Sequence, residues 1–170
     1  MPKLRQKNGF TLLEIVMVFG LLGVVSVLAT NMFFSILKAS TKARILSDAK
    51  QNGNYAINVM ERMIRNSKRL VGTYSSDPVS SITIVNQDDN QTTFACVSQG
   101  STSFVASNGA SLVDSSKFSV SNCSFTITEG ESGIRPPSVT IEFSIGRLGN
   151  RAEESLSATE FKAIVDLRNY

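Results

Sequence analysis

Two hydrophobic patterns follow one another along this chain. From Ile15 to Leu37 no side chain is charged, and the first basic residue afterwards is Lys38. At about 1.5 Å rise per residue such a run makes about 35 Å of helix, enough to cross a hydrocarbon core. Beyond it the apolar positions thin out to one face. Ile45, Ala49, Gly53, Ala56, Met60, Met63 and Leu70 recur at three- to four-residue steps, while Lys42, Lys50, Arg62 and Lys68 fall largely off that stripe. No proline occurs between Pro2 and Pro78, so nothing obliges a break. The pattern predicts one helix from Phe10 to Leu70, apolar all round over residues 10–37 and amphipathic over 38–71. Gln51-Asn52-Gly53-Asn54 is its weakest stretch, at up to about 1 kcal/mol per residue relative to alanine, and Gly20 and Gly23 weaken the apolar part.

From Ser80 the period changes to two. Ser81–Val85 and Thr92–Val97 read as strands around an Asp88-Asp89-Asn90 turn. Ser103–Val105, Lys117–Val120, Ser124–Thr128, Val139–Ile145 and Glu160–Leu167 read as further strands, with serine, threonine, asparagine and glycine between them. One sheet face packed on the amphipathic helix half gives an α+β fold, with residues 72–170 as a β-rich head.

Charge alters this picture in one place. The net charge of +3 comes from a short leader, residues 1–9, holding Lys3, Arg5 and Lys7; without them fourteen basic and fourteen acidic side chains remain. The rest of the chain is electrically balanced, which removes the argument for a nucleic-acid partner from overall charge. Glu14 stands at the edge of the apolar run, where an acid costs up to a few kcal/mol at mid-bilayer and less near the interface. If the chain were cut after Gly9, Phe10 would carry a new ammonium and Glu14 would lie in the first helical turn. There it meets the positive end of the helix dipole and can pair with an ammonium, its own or a neighbour's.

Gly9-Phe10-Thr11-Leu12-Leu13-Glu14, with basic residues before and an apolar helix after, resembles the processing site of type IV pilins and type II secretion pseudopilins. The resemblance covers about the first forty residues. It implies cleavage between Gly9 and Phe10 by a prepilin peptidase that also methylates Phe10. It further implies assembly through the N-terminal helix, with Glu14 neutralising a neighbouring subunit's N-terminus. The implied partners are that peptidase, other pilin or pseudopilin subunits, an inner-membrane assembly platform, and membrane lipid before assembly. The implied location is a single pass in the inner membrane with the head outside the cytoplasm, then an extracellular filament or a periplasmic pseudopilus. The alternatives are a secretory signal cut before Thr30, an uncleaved anchor, and a tethered binding module or adhesin that never polymerises. Many major pilins carry a proline near the position of Asn31; its absence, with the long segment after Cys123, points to a minor pilin or J-type pseudopilin.

Cys96 and Cys123, the only cysteines, suit a disulfide in an exported head, worth about 3 kcal/mol in the chain-entropy model. With no histidine and no Cys-x-x-Cys, metal and redox chemistry lack partners, and a serine triad lacks its usual base. The chain is read as a non-enzyme without cofactor or metal. Asp88-Asp89-Asn90 lacks the spaced ligands of a calcium loop, and Glu153-Glu154 reads as a solvated pair. Asn90-Gln91-Thr92 and Asn122-Cys123-Ser124 match the glycan acceptor pattern. Arg62, Arg65, Lys68 and Arg69 form one basic cluster that complements a helix C-terminus, with no aromatic residues interleaved to stack bases.

Overall fold

The computed structural model describes residues 9–72, 77–100, 102–131, 136–148 and 158–167. The leader lysines and arginine, and Glu153-Glu154, lie outside these residues. One helix, α1 (Leu12–Arg65), precedes eight strands: β1 (Arg69–Val71), β2 (Ser81–Val85), β3 (Gln91–Gln99), β4 (Thr102–Ser107), β5 (Ala110–Ser111), β6 (Phe118–Thr128), β7 (Ser138–Arg147) and β8 (Thr159–Asp166). The chain divides into two compact units, one ending at Thr41 and one beginning at Lys42. The second half of α1 therefore belongs with the strands, as an α+β fold requires.

The apolar stripe is what holds that half of the helix. Ile45, Ala49, Gly53, Ala56, Met60 and Ile64 are buried at steps of four and three. Ile64 takes the buried position where the sequence suggests Met63, which is only partly buried against the core. Gln51-Asn52-Gly53-Asn54 does not break the helix, because Asn52 and Gly53 within it meet the strands and loops of the head. A Cβ on Gly53 would stand 2.1 Å from Cζ of Phe161 on β8, so only glycine lets this ring approach. Phe161 in turn stacks on Phe143 with ring centroids 5.3 Å apart. Asn52 donates from Nδ2 to the Asp48 carbonyl (2.9 Å), and its Oδ1 accepts from the Asp114 amide (3.1 Å).

The helix stops at Arg65, short of the expected Leu70. The buried Ser67 hydroxyl donates to the Ile64 carbonyl at 2.7 Å, and the Lys68 amide donates to the Val85 carbonyl at 2.8 Å. The chain thus turns straight into β1, where Leu70 pairs with Ile84. Leu70 is buried, but from a strand. Arg62 and Arg65 lie in the last helical turn, whereas Lys68 lies past it and pairs with Asp89 at 2.6 Å.

The strands form two sheets rather than one: β1-β2-β3-β4-β5 and β6-β7-β8, with every pairing antiparallel. Three links join them. Val79 and Phe125 exchange backbone hydrogen bonds (2.8 and 2.9 Å), the Ser103 amide donates to the Ser119 hydroxyl (3.1 Å), and a disulfide joins Cys96 on β3 to Cys123 on β6. The two segments expected at Lys117–Val120 and Ser124–Thr128 are one strand, β6, interrupted by a bulge between Ser121 and Ser124 with Asn122 at φ 51°. That irregularity in pairing lies beside Cys123, where β6 leaves its register with β7. Phe94, Phe118, Phe125, Phe143, Met60 and Ile64 are the bulk of the core.

Candidate functional site: the N-terminal helix and its first turn

The first turn of α1 is built from residues of the Gly9–Glu14 stretch whose sequence resembles a processing site. Thr11 precedes the helix as its N-cap: its carbonyl accepts from the amides of Glu14 (3.1 Å) and Ile15 (3.3 Å), and its hydroxyl accepts from the Glu14 amide at 3.3 Å. Glu14 is then the third helical residue, and Thr11-Leu12-Leu13-Glu14 has the spacing of a capping box. Thr11 is absent from the sequence expectation, although a threonine with an acid three places on is the signal for such a cap. Glu14 stands where a carboxylate favours the positive end of the helix dipole. Phe10, Glu14 and Val18 recur four apart and, with Ile15 and Phe19, line one shallow groove of about 350 Å³.

Beyond that turn, as far as Leu37, the helix surface is uncharged and mostly apolar. Among the described residues every large hydrophobic side chain from Phe10 to Leu37 is exposed, while the rest of the chain exposes only Tyr55, Val71 and Ile164. The helix contains an 18-residue window of mean hydropathy 2.5, none of it buried. It is long and apolar enough to cross a membrane, which is compatible with a single-pass membrane protein. Three hydroxyls on this part of the helix donate back to it: Ser26 to the Leu22 carbonyl (2.7 Å), Thr30 to the Ser26 carbonyl (2.8 Å) and Thr41 to the Leu37 carbonyl (3.0 Å). A hydroxyl so occupied asks nothing of a lipid or of a neighbouring helix. Gly20 and Gly23 have open space where a Cβ would stand, and they line a second shallow groove with Phe19, Val24, Val27 and Leu28.

The other candidates do not converge. Asp88 accepts from the Asn90 side-chain amide at 2.7 Å and from its backbone amide at 3.3 Å, and these bonds hold its carboxyl below the ordinary value. Asp89, at φ 62°, points its carboxylate to Lys68 instead. The two acids of the turn are thus committed to different partners. Among the described residues no three histidine, cysteine, aspartate or glutamate side chains gather as a metal set. Cys96 and Cys123 form the disulfide, so neither is a free thiol. The chain matches no protein-family model, no curated protein and no solved structure.

Proposed function

We propose that this chain is a structural, minor subunit of a type IV pilus or type II secretion pseudopilus. It is processed after Gly9, methylated on Phe10 and assembled through its N-terminal helix. The observation that carries this reading is Glu14: an acid four residues after Phe10, in the first turn of a helix that carries no other charge as far as Leu37 and leaves all its large hydrophobic side chains there exposed. An exposed surface of that extent needs an apolar partner. Lipid supplies it before assembly, and the helices of neighbouring subunits supply it afterwards. The acid then has a task that lipid cannot give it, which is to meet the ammonium that cleavage creates on an adjacent chain. Prepilin peptidase and the inner-membrane assembly platform are the partners this route requires.

The mature protein's mass and first residue test the reading. A chain beginning at N-methylated Phe10 is expected; one beginning at Thr30 indicates ordinary secretion and overturns it. The role of Glu14 needs a finer test, because the same side chain stands at the capping-box position with Thr11. Glutamine also serves at that position. Glu14→Gln therefore keeps a side chain suited to that position and removes the charge, whereas Glu14→Ala removes the whole side chain and leaves Thr11 its bond from the residue-14 amide. The expected outcome is that both variants are cleaved normally and both fail to enter filaments. Wild-type incorporation of Glu14→Gln refutes the pairing of charges.

A further inference from the structure

The outer face of the three-stranded sheet holds one residue that is out of place. Along β7 the side chains alternate: Val139, Ile141, Phe143 and Ile145 belong to the core, while Thr140, Glu142 and Ser144 fall on the other face. Thr140 and Glu142 are half-buried there, but Ser144 is only 4% exposed. Among the described residues its hydroxyl makes no hydrogen bond. A buried hydroxyl without a partner costs stability, and native structures seldom leave one. No fully enclosed side-chain oxygen or nitrogen among the described residues lacks a partner, so the Ser144 oxygen is open to the space beside it.

That space is a concavity of about 290 Å³. Directly across from Ser144 on β8 stands Glu160. On the other side is β6, whose Ser121 pairs with Ser144 just before the bulge sets Asn122 at φ 51°. Glu160 and Asn122 both line the concavity and are exposed, and neither side chain has a partner among the described residues. Two places back along β7, Glu142 is bonded to Lys162 across the strands, and this pair closes that end. β6 carries no charged residue. The charges around the concavity are therefore two carboxylates and one ammonium, and the ammonium is already spent on Glu142.

We propose that this concavity binds a primary alkylammonium group, which donates to the Glu160 carboxylate, the Ser144 hydroxyl and the Asn122 amide oxygen. A primary ammonium is a compact charge with three donors and no acceptor, and three free acceptors answer it here. Cross-strand neighbours such as Ser144 and Glu160 stand about 5 Å apart at Cβ, close enough to share one such head. Other ligand classes fit less well. An anion meets the unpaired Glu160, and a neutral alcohol leaves that charge unanswered. No three histidine, cysteine, aspartate or glutamate side chains gather among the described residues to hold a metal ion. The volume lies at the lower edge of small-ligand pockets, which gives room for an ammonium on a short stem. A free amine and a lysine side chain both carry that group. Nothing in the site involves α1, so the inference stands independently of the filament reading.

The test is an NMR titration of the full-length chain in an uncharged detergent, following the amides of Asn122, Ser144 and Glu160. The probe is n-butylammonium, which has the four-carbon stem of lysine. It is expected to shift these amides and to saturate in the millimolar range. Butanol, which has no charge, and butyltrimethylammonium, which has no N–H, are expected to leave them unmoved. Glu160→Gln is expected to weaken binding about tenfold and Ser144→Ala about threefold. Ser144→Ala should not lower the thermal unfolding temperature, because the hydroxyl it removes is bonded to nothing in the chain. Lys162→Gln, which frees Glu142, should tighten binding. The absence of a saturable shift with n-butylammonium overturns the proposal, as does equal binding of either control compound. Native affinity in a folded Glu160→Gln chain overturns it too, and so does a destabilised Ser144→Ala chain, whose hydroxyl would then be structural. Nα-acetyl-lysine methylamide separates the two sources. If it binds as n-butylammonium does, the site accepts a lysine side chain; if only n-butylammonium binds, the ligand is a free amine.

Discussion

One helix is used in two opposite ways. From Leu12 to Ala43 its residues are exposed whichever way they point, and most are apolar. From Ile45 to Ile64 a single row is buried, and the remainder is mostly polar. Helix propensity does not separate the halves, since each contains glycines and β-branched residues. What separates them is the number of directions in which the helix meets something apolar. The head half faces its own chain on one side and water on the other. The N-terminal half buries none of its large hydrophobic side chains among the described residues, so its stability depends on an apolar surrounding.

Paired substitutions sharpen this contrast. The largest effect is expected at Ile64, which is fully buried. Ile64→Ala should cost about 2–5 kcal/mol of head stability. Ile36→Ala, the same change at an exposed position, should leave the head's thermal unfolding in detergent unmoved. A smaller effect is expected at the glycines. Gly53→Ala drives a methyl into the ring of Phe161, which is held by its stack on Phe143, and should cost about 1–3 kcal/mol despite alanine's better helix propensity. Gly23→Ala meets open space and should leave head stability unaltered. If both glycine changes behave alike, the tight approach of helix to sheet is not what holds Gly53 in place.

The smallest effect concerns pH. Hydrogen bonds from Ser116 and then from Lys117 hold the Asp114 carboxyl below its ordinary value. A carboxyl lowered in the folded state adds stability above the unfolded pKa and loses it as pH falls through the folded one. The Asp114 side chain is partly exposed and its bonds lie at the surface, so the contribution is slight. NMR titration should find its midpoint below that of a model aspartate, and Ser116→Ala should raise it part of the way, with the Ser116 amide and Lys117 still holding the rest.

The α+β class, the change in helix character and most strands were legible because burial imposes periodicity, and periodicity survives in the order of residues. Val139–Ile145 alternates cleanly and lies within β7. What escaped is where two periods coincide. Leu70 continues the helical stripe in number, yet it is buried from β1, because the Ser67 hydroxyl closes the helix and the next amide bonds to Val85. The bulge in β6 was hidden for a related reason: Asn122 and Cys123 interrupt the alternation, and an interruption looks like a turn. The division into two sheets depends on which strands are neighbours in space, which alternation alone does not encode. At the candidate site Gly9–Glu14 is contiguous in sequence, and what went unread there was the part of Thr11 as a cap, because a threonine at that place looks like a spacer.

The bridge between β3 and β6 has a mechanical meaning. Its cysteines lie 27 residues apart in sequence. Stretched end to end that segment would span about 90 Å, and the covalent link keeps all of it out of the load path when the chain is pulled from either terminus. Under tension the chain can lengthen only through what lies outside the loop, so this part of the head keeps its length until the bridge itself is reduced.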